Sequence, residues 1–354
     1  MNLQLAAFPK PMTTLFIYSP AEGHTFPHHP ENPSRGLAIQ TVFEREGLFA
    51  DLLVLPPTAA TDAQLLRTHH AHLVEVVHGV SRRGGGRLDA DTYATAESYD
   101  LARIAVGSAC SAVDYIVTGQ ADNGFVVARP PGHHAEYKSV GGFCLFNNVA
   151  AAARQAQRVH KLQRVMILDF DVHHGNGTQD IFYHDNTVLF ISLHQYGHYF
   201  YPGTGAANEI GRDKGAGFNL NVPLPPQVGN AGYDFIFRDL ILPRARAFQP
   251  ELILISAGYD AHWADPLASA ALSLRGYATL SQQLVEMADE LCNGRILFVL
   301  EGGYLLDALA YGVLNSTYAL LKRDTMKDPL GEFEESETDV QPLLATLHKL
   351  HLIK

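Results

Sequence analysis

Five short apolar runs, at residues 124–128, 165–170, 188–193, 252–258 and 296–300, set the architecture of this chain. Their length and their content of Val, Ile, Leu and Phe predict buried strands. Longer stretches with helical character lie between them, at 148–160, 233–248 and 273–292. Strands that alternate with helices predict a mainly parallel sheet with helices on both faces. Ligands of such sheets gather outside the carboxyl ends of the strands, and each run here ends in polar residues. They are Arg129-Pro130-Pro131-Gly132-His133-His134, Asp169-Phe170-Asp171-Val172-His173-His174-Gly175-Asn176-Gly177, His194, Tyr259-Asp260-Ala261-His262 and Glu301-Gly302-Gly303-Tyr304. Five strand ends aimed at one crevice are hard to account for as core filling.

The first third is less regular. A strand is predicted at 14–18, a proline-broken polar loop at 24–35, a helix at 35–46 and a short apolar run at 52–55. A helix is expected at 63–79, its histidines at 69, 70, 72 and 78 serving surface and packing roles. A flexible loop is expected at 82–87, only weakly suggestive of an anion site, then a long Ala-rich helix at 96–118. The tail from 328 is acidic and then helical over 340–350. With no internal repeat or linker, one domain is expected over 14–354 after an extension at 1–13, and Met12 is an alternative start.

Composition narrows the class. The chain has 354 residues, is 47% hydrophobic and 18% charged, and has ample material for a core. A formal net charge of −11 argues against a general nucleic-acid binder and suits a cationic substrate. Cys110, Cys144 and Cys292 are too few and scattered for a disulfide framework or a thiolate metal site, which predicts a reducing, cytoplasmic setting. No secretory signal is apparent and no apolar run approaches a membrane span.

The polar clusters suggest metal chemistry. Asp171 and His173, two apart at a strand end, point to the same side if the extension persists. With Asp260 they form a three-ligand set that suits Zn²⁺ and leaves a position for water and substrate. His133 and His134 supply a candidate base and acid. Asp169 could orient one imidazole and Asn176 the other; a carboxylate partner raises imidazole basicity more than an amide does. Tyr304, after two glycines, could bring its phenol to a developing oxyanion.

These motifs, in this order, resemble the signature blocks of the histone deacetylase superfamily. The resemblance rests on Arg129 to His134, Gly142-Phe143-Cys144, Asp169 to Gly177, Tyr201-Pro202-Gly203-Thr204-Gly205, Ser256-Ala257-Gly258-Tyr259-Asp260 and Glu301 to Tyr304, and it spans roughly residues 14–320. Asn176 and Leu267 look like the class II branch, and the nearest likeness is to bacterial histone deacetylase-like amidohydrolases. The resemblance implies an arginase/deacetylase fold with an eight-stranded parallel sheet. It implies one catalytic zinc on Asp171, His173 and Asp260, His133 and His134 as the acid–base pair, and Tyr304 as the carbonyl-polarising residue. It also implies one or two K⁺ sites. The first would use Asp169, Asp171, His173, Ser192 and Leu193, the second Phe182, Asp185, Val188 and Phe218. Phe143 and Tyr201 would wall a narrow tunnel, with Gly142, Leu267 and Gly303 nearby and Asp91 at the rim. The implied substrate is acetyl-lysine or a similar linear acylated amine.

Alternatives remain at this level. A binuclear manganese ureohydrolase would need a carboxylate at position 175, which is glycine. A non-haem iron oxygenase would need two histidines and one carboxylate, the reverse of this set. A catalytically dead acyl-binding module would have no use for His133, His134 and Tyr304 together. Substrate choice among acetylated proteins, acetylpolyamines and small metabolites stays open, as does self-association into a homo-oligomer.

Overall fold

Leu15 and Ile17 face one side of the first strand and Phe16 the other, and every central strand repeats that alternation. In 165–168, for example, Val165 and Ile167 pack on one face while Met166 and Leu168 pack on the other. Both faces are buried, which is why these strands read as continuous apolar runs rather than as alternating ones. The computed structural model describes residues 12–351. The proposed extension at 1–13 therefore falls almost wholly outside the described residues.

The strands are β1 (Thr14–Tyr18), β2 (Leu53–Leu55), β3 (Gly85–Arg87), β4 (Tyr93–Thr95), β5 (Asn123–Val127), β6 (Val165–Asp169), β7 (Val188–Gln195), β8 (Asn219–Leu224), β9 (Leu252–Ala257) and β10 (Ile296–Leu300). Eight of them form one sheet in the order β2-β1-β5-β10-β9-β6-β7-β8. Every neighbouring pair is parallel. The helices are α1 (Ser34–Arg45), α2 (Asp62–Leu65), α3 (Ala71–Arg82), α4 (Ser98–Val117), α5 (Asn148–Arg158), α6 (Asn176–Phe182), α7 (Asn230–Ile236), α8 (Leu242–Phe248), α9 (Leu274–Cys292), α10 (Leu306–Leu320) and α11 (Gln341–His351). A π turn at Phe237–Ile241 joins α7 to α8.

Alanines of α4 and α5 cover one face of the sheet, where small side chains let helix and sheet approach closely. Larger residues of α1, α9 and α10 cover the other, including Ile39, Phe43, Tyr277, Leu284, Leu309 and Leu314. Local signals fix the ends of α9: Ser273 accepts the Gly276 N–H as its cap, and Asn293 closes it in a left-handed conformation at φ 56°.

Besides the short α6, which the sequence reading does not give, four features depart from it. The helix expected at 63–79 is two helices, because the chain leaves the helical ladder at His70 while the ring of His69 is engaged elsewhere. His70 donates its N–H to Tyr137 O, and the buried His69 ring bonds Glu136 O at 3.0 Å through Nδ1 and the Asn147 N–H at 2.8 Å through Nε2. The expected loop at 82–87 ends in β3, which pairs antiparallel with β4 in a small hairpin. β8 escaped notice because Asn219, Asn221 and Pro223 interrupt its apolar pattern; it is an edge strand, where proline is tolerated. The pattern also hid α10, whose Gly312, Asn315, Ser316 and Thr317 are weak helix formers. The ring of Tyr259 lies where a Cβ on Gly312 would come within 2.2 Å of it. None of the described helices is long and apolar enough to cross a membrane.

Candidate metal centre and catalytic chamber

Strands β6 and β9 are neighbours, so the turns that follow them meet. Asp171 and His173 come from the first turn and Asp260 from the second, and one ligand atom from each lies within 4.8 Å of the others. His173 Nδ1 is 3.2 Å from Asp171 Oδ1 and 3.1 Å from Asp260 Oδ2. Backbone amides hold the remaining oxygens: Gly302 N–H donates to Asp171 Oδ2 at 2.7 Å, and Val172 N–H to Asp260 Oδ1 at 2.9 Å. The cradle has no room for side chains. A Cβ on Gly302 would sit 2.2 Å from Asp260 Oδ2, and one on Gly258 2.1 Å from Asp171 Oδ2.

Burial resists charge on His173, yet Asp171 and Asp260 raise it to about 10. Two buried carboxylates converging on one imidazole call for positive charge at their centre. One nitrogen and two oxygen donors, clamped from behind by amides, fit a divalent cation. A second group of potential ligands, His133, Cys144 and Glu301, also converges. There the Glu301 carboxylate is taken up by Gly132 N–H at 2.6 Å and His133 N–H at 3.1 Å, and Cys144 Sγ donates to Gly142 O. Burial pushes the Cys144 thiol well up, so this cluster is a structural clamp. Gly175, where a second metal would need a carboxylate, has no space: its Cβ would lie 2.3 Å from Asp169 Oδ2.

The turn after β5 brings two histidines over the centre, their ring centroids 4.0 Å apart. His133 Nδ1 lies 2.9 Å from Asp169 Oδ2, and His134 Nδ1 lies 2.6 Å from Asn176 Oδ1. Their environments pull them apart. Burial disfavours charge on His133, but Asp169 and Asp171 outweigh it and raise the ring to about 10. Burial, reinforced by the charges of His133 and His173, holds His134 well below the ordinary imidazole value.

Tyr304 follows β10. Asp265 accepts the N–H groups of Tyr304 at 2.7 Å and Leu305 at 3.1 Å, which fixes the backbone under the phenol. Burial pushes its phenol well above 10, so it remains an O–H donor. The loop is tied to the histidine loop by a buried triad. Arg35 donates through Nε to Gly303 O at 2.7 Å and pairs with Glu31 at 3.2 Å, while Arg129 pairs with both oxygens of Glu31.

A cavity of about 300 Å³ leads to the centre, lined by Asp91, His134, Gly142, Phe143, Tyr201, Leu267 and Tyr304 among others. All the expected wall residues are there except Gly303, whose carbonyl is turned to Arg35 instead. Phe200 is a wall that the sequence did not announce; its ring stacks on His173 at 5.1 Å and 4°. Asp91 sits at the mouth, its carboxylate bonded to the Thr92 hydroxyl at 2.9 Å. Of the residues implied for the cation sites, Asp169 and Ser192 are in register on adjacent strands. Phe182 and Asp185 close one turn before Val188. Phe218 O accepts Phe190 N–H at 2.9 Å, and the Asp185 carboxylate is committed to Arg154 at 2.7 Å and to Thr187.

Comparison with known proteins identifies this assembly. The family model for the histone deacetylase domain matches residues 29–320, which contain every element of the chamber. The chain belongs to the histone deacetylase family. It is therefore a hydrolase of the deacetylase kind. It is 39% identical over 310 residues to the histone deacetylase-like amidohydrolase of Pseudomonas aeruginosa, covering 87% of this chain and 81% of that one. It is 37% identical over 360 residues to the chloroplastic histone deacetylase 14 of Arabidopsis thaliana, covering 96% and 85%. In structure it resembles the crystallised HDA15 HD domain at a TM-score of 0.89 and 35% identity, over 96% of each chain. The family's arginase/deacetylase fold is the one described above.

Sequence reasoning missed the residues behind the chamber, Glu31, Arg35, Glu136 and Asp265, and placed Glu301 at a strand end without its role. They act on backbone amides or on other side chains, and no spacing marks such contacts.

Proposed function

We propose that the chain is a zinc-dependent amidohydrolase that removes acetyl or other short acyl groups from the side-chain amine of acetyl-lysine or a similar linear acylated amine. The observation that carries this reading is the convergence of Asp171, His173 and Asp260 with two differently partnered histidines and a phenol at the end of one aromatic-walled cavity. A zinc ion held there would supply Lewis acidity to a carbonyl and acidity to water.

The chain's own residues do the rest. Phe143, Phe200 and Tyr201 enclose an extended methylene chain and exclude branched groups. His133 and His134 hold their Nδ1 atoms on fixed partners and turn Nε2 to the reaction, one to take a proton from water and one to give it to the departing nitrogen. Tyr304 donates to the oxygen on which charge develops. Water adds to the acyl carbon, the C–N bond breaks, and the amine leaves with the proton. Asp91 accepts a donor from the substrate at the rim. In the same reading, one or two K⁺ ions sit on the carbonyls and side chains around Asp169, Asp171, His173, Ser192 and Leu193, and around Phe182, Asp185, Val188 and Phe218.

The test is a comparison of kcat/KM for an acetyl-lysine peptide and for N-acetylated polyamines, before and after chelation and with Zn²⁺ or Fe²⁺ restored. Loss on chelation, recovery with Zn²⁺ and preference for the peptide are expected. Preference for polyamines would move the substrate class. Binding without turnover by zinc-loaded protein would leave an acyl-binding module.

A further inference from the structure

The groups behind the two chamber histidines differ in a way that needs a third residue. Asp169 can only accept, so the proton on His133 sits at Nδ1. Asn176 could present either end to His134, since an amide's oxygen and NH₂ have nearly the same shape. Glu136 decides which. Its Oε1 accepts from Asn176 Nδ2 at 2.8 Å. Its Oε2 accepts the Ser139 hydroxyl at 2.7 Å, and its N–H donates to Ser139 O at 2.9 Å, so the carboxylate is pinned within its own turn. Its carbonyl receives His69 Nδ1 at 3.0 Å, and His69 Nε2 accepts the Asn147 N–H that leads into α5. The turn is thus anchored to the body of the fold.

We infer that Glu136 is a positioning residue that sets the tautomer of His134 through the orientation of Asn176. A carboxylate offers only acceptors, so the amide must turn its NH₂ to Glu136 and its oxygen to His134. His134 Nδ1, 2.6 Å from that oxygen, must then carry the hydrogen. Nε2, for which no hydrogen bond is formed among the described residues, is left with its lone pair toward the chamber. An amide turned the other way would drive the hydrogen to Nε2, and His134 would meet its substrate as a donor. The catalytic consequence rests on the function proposed above; the tautomer does not.

The experiment uses zinc-loaded full-length protein labelled with ¹⁵N-histidine, as parent and as Glu136→Gln, whose side chain can turn either end to Asn176. The parent should show His134 protonated at Nδ1 alone, and the variant a mixture of tautomers. With an acetyl-lysine peptide the variant's kcat should fall about 10- to 100-fold, with KM nearly unchanged. Adding Asn176→Asp to the Glu136→Gln protein restores an acceptor-only partner and should return the single Nδ1–H signal, a rescue that lost packing would not show. A Glu136→Gln protein with one unchanged tautomer overturns the inference, as does a parent protonated at Nε2. A mixed signal with unchanged kcat upholds the role of Glu136 and counts against proton transfer at His134 Nε2 in the proposed reaction.

Discussion

At the scale of single residues, Tyr304 carries the sharpest test. Its backbone is fixed by Asp265, so Tyr304→Phe removes only the phenolic donor. We expect kcat to fall about 100- to 1000-fold with KM little changed, measured by steady-state kinetics on an acetyl-lysine peptide. Asp171→Ala and Asp260→Ala should lose bound zinc and activity together, because each removes one of the three proposed ligands; metal analysis of the purified variants checks this. Asp171 and His173 were legible because their spacing at a strand end already aims both inward. Asp260 and Tyr304 were legible only as polar residues at other strand ends, and the sheet order joined them. Glu136 and Asp265 could not be read, since the Asn176 amide and the Tyr304 N–H that they hold lie about 40 residues away in sequence.

At the scale of elements, the loops of the chamber are held by buried charge. Glu31 lies between Arg35 and Arg129 with none of the three exposed. Burial would raise its carboxyl, but the two guanidinium groups win and lower it from 4.5 to about 2. A lowered acid stabilises the fold above its unfolded value and loses that contribution as pH falls through its folded one. Glu31→Gln should thus cost about 3 kcal/mol at neutral pH, with the gap to the parent closing between about pH 4.5 and 2. Urea unfolding of both proteins across that range checks the sign. Phe143 tests the wall element: Phe143→Ala should narrow the parent's preference for a linear acetyl over a branched acyl group in paired peptides, and no preference in the parent would mean no tunnel. Apolar period gave most strands and helices within a residue or two. It failed at β8 and α10, where polar side chains serve the tertiary structure, and at 63–79, where the His69 contacts outweigh helical propensity.

At the scale of the whole molecule, the candidate metal centre bridges two neighbouring strands, β6 and β9, and its candidate ligands stand far apart along the chain. Zinc should stabilise the folded state by about 2.7 kcal/mol at 100 times its Kd, seen as a rise in Tm that Asp260→Ala lacks. The sheet order has a further consequence. β9 and β10 are made late, yet they occupy the middle, between β5 and β6. While the ribosome is still short of residue 252, the emerging chain can assemble β2-β1-β5 and β6-β7-β8 only as two half-sheets. Each presents a bare apolar inner edge, an invitation to pair with another chain. Nascent copies of this enzyme should accordingly depend on holdase chaperones until the last two strands arrive and wedge the halves together. A premature stop before β9 should then send the product to aggregates rather than leave a weak hydrolase.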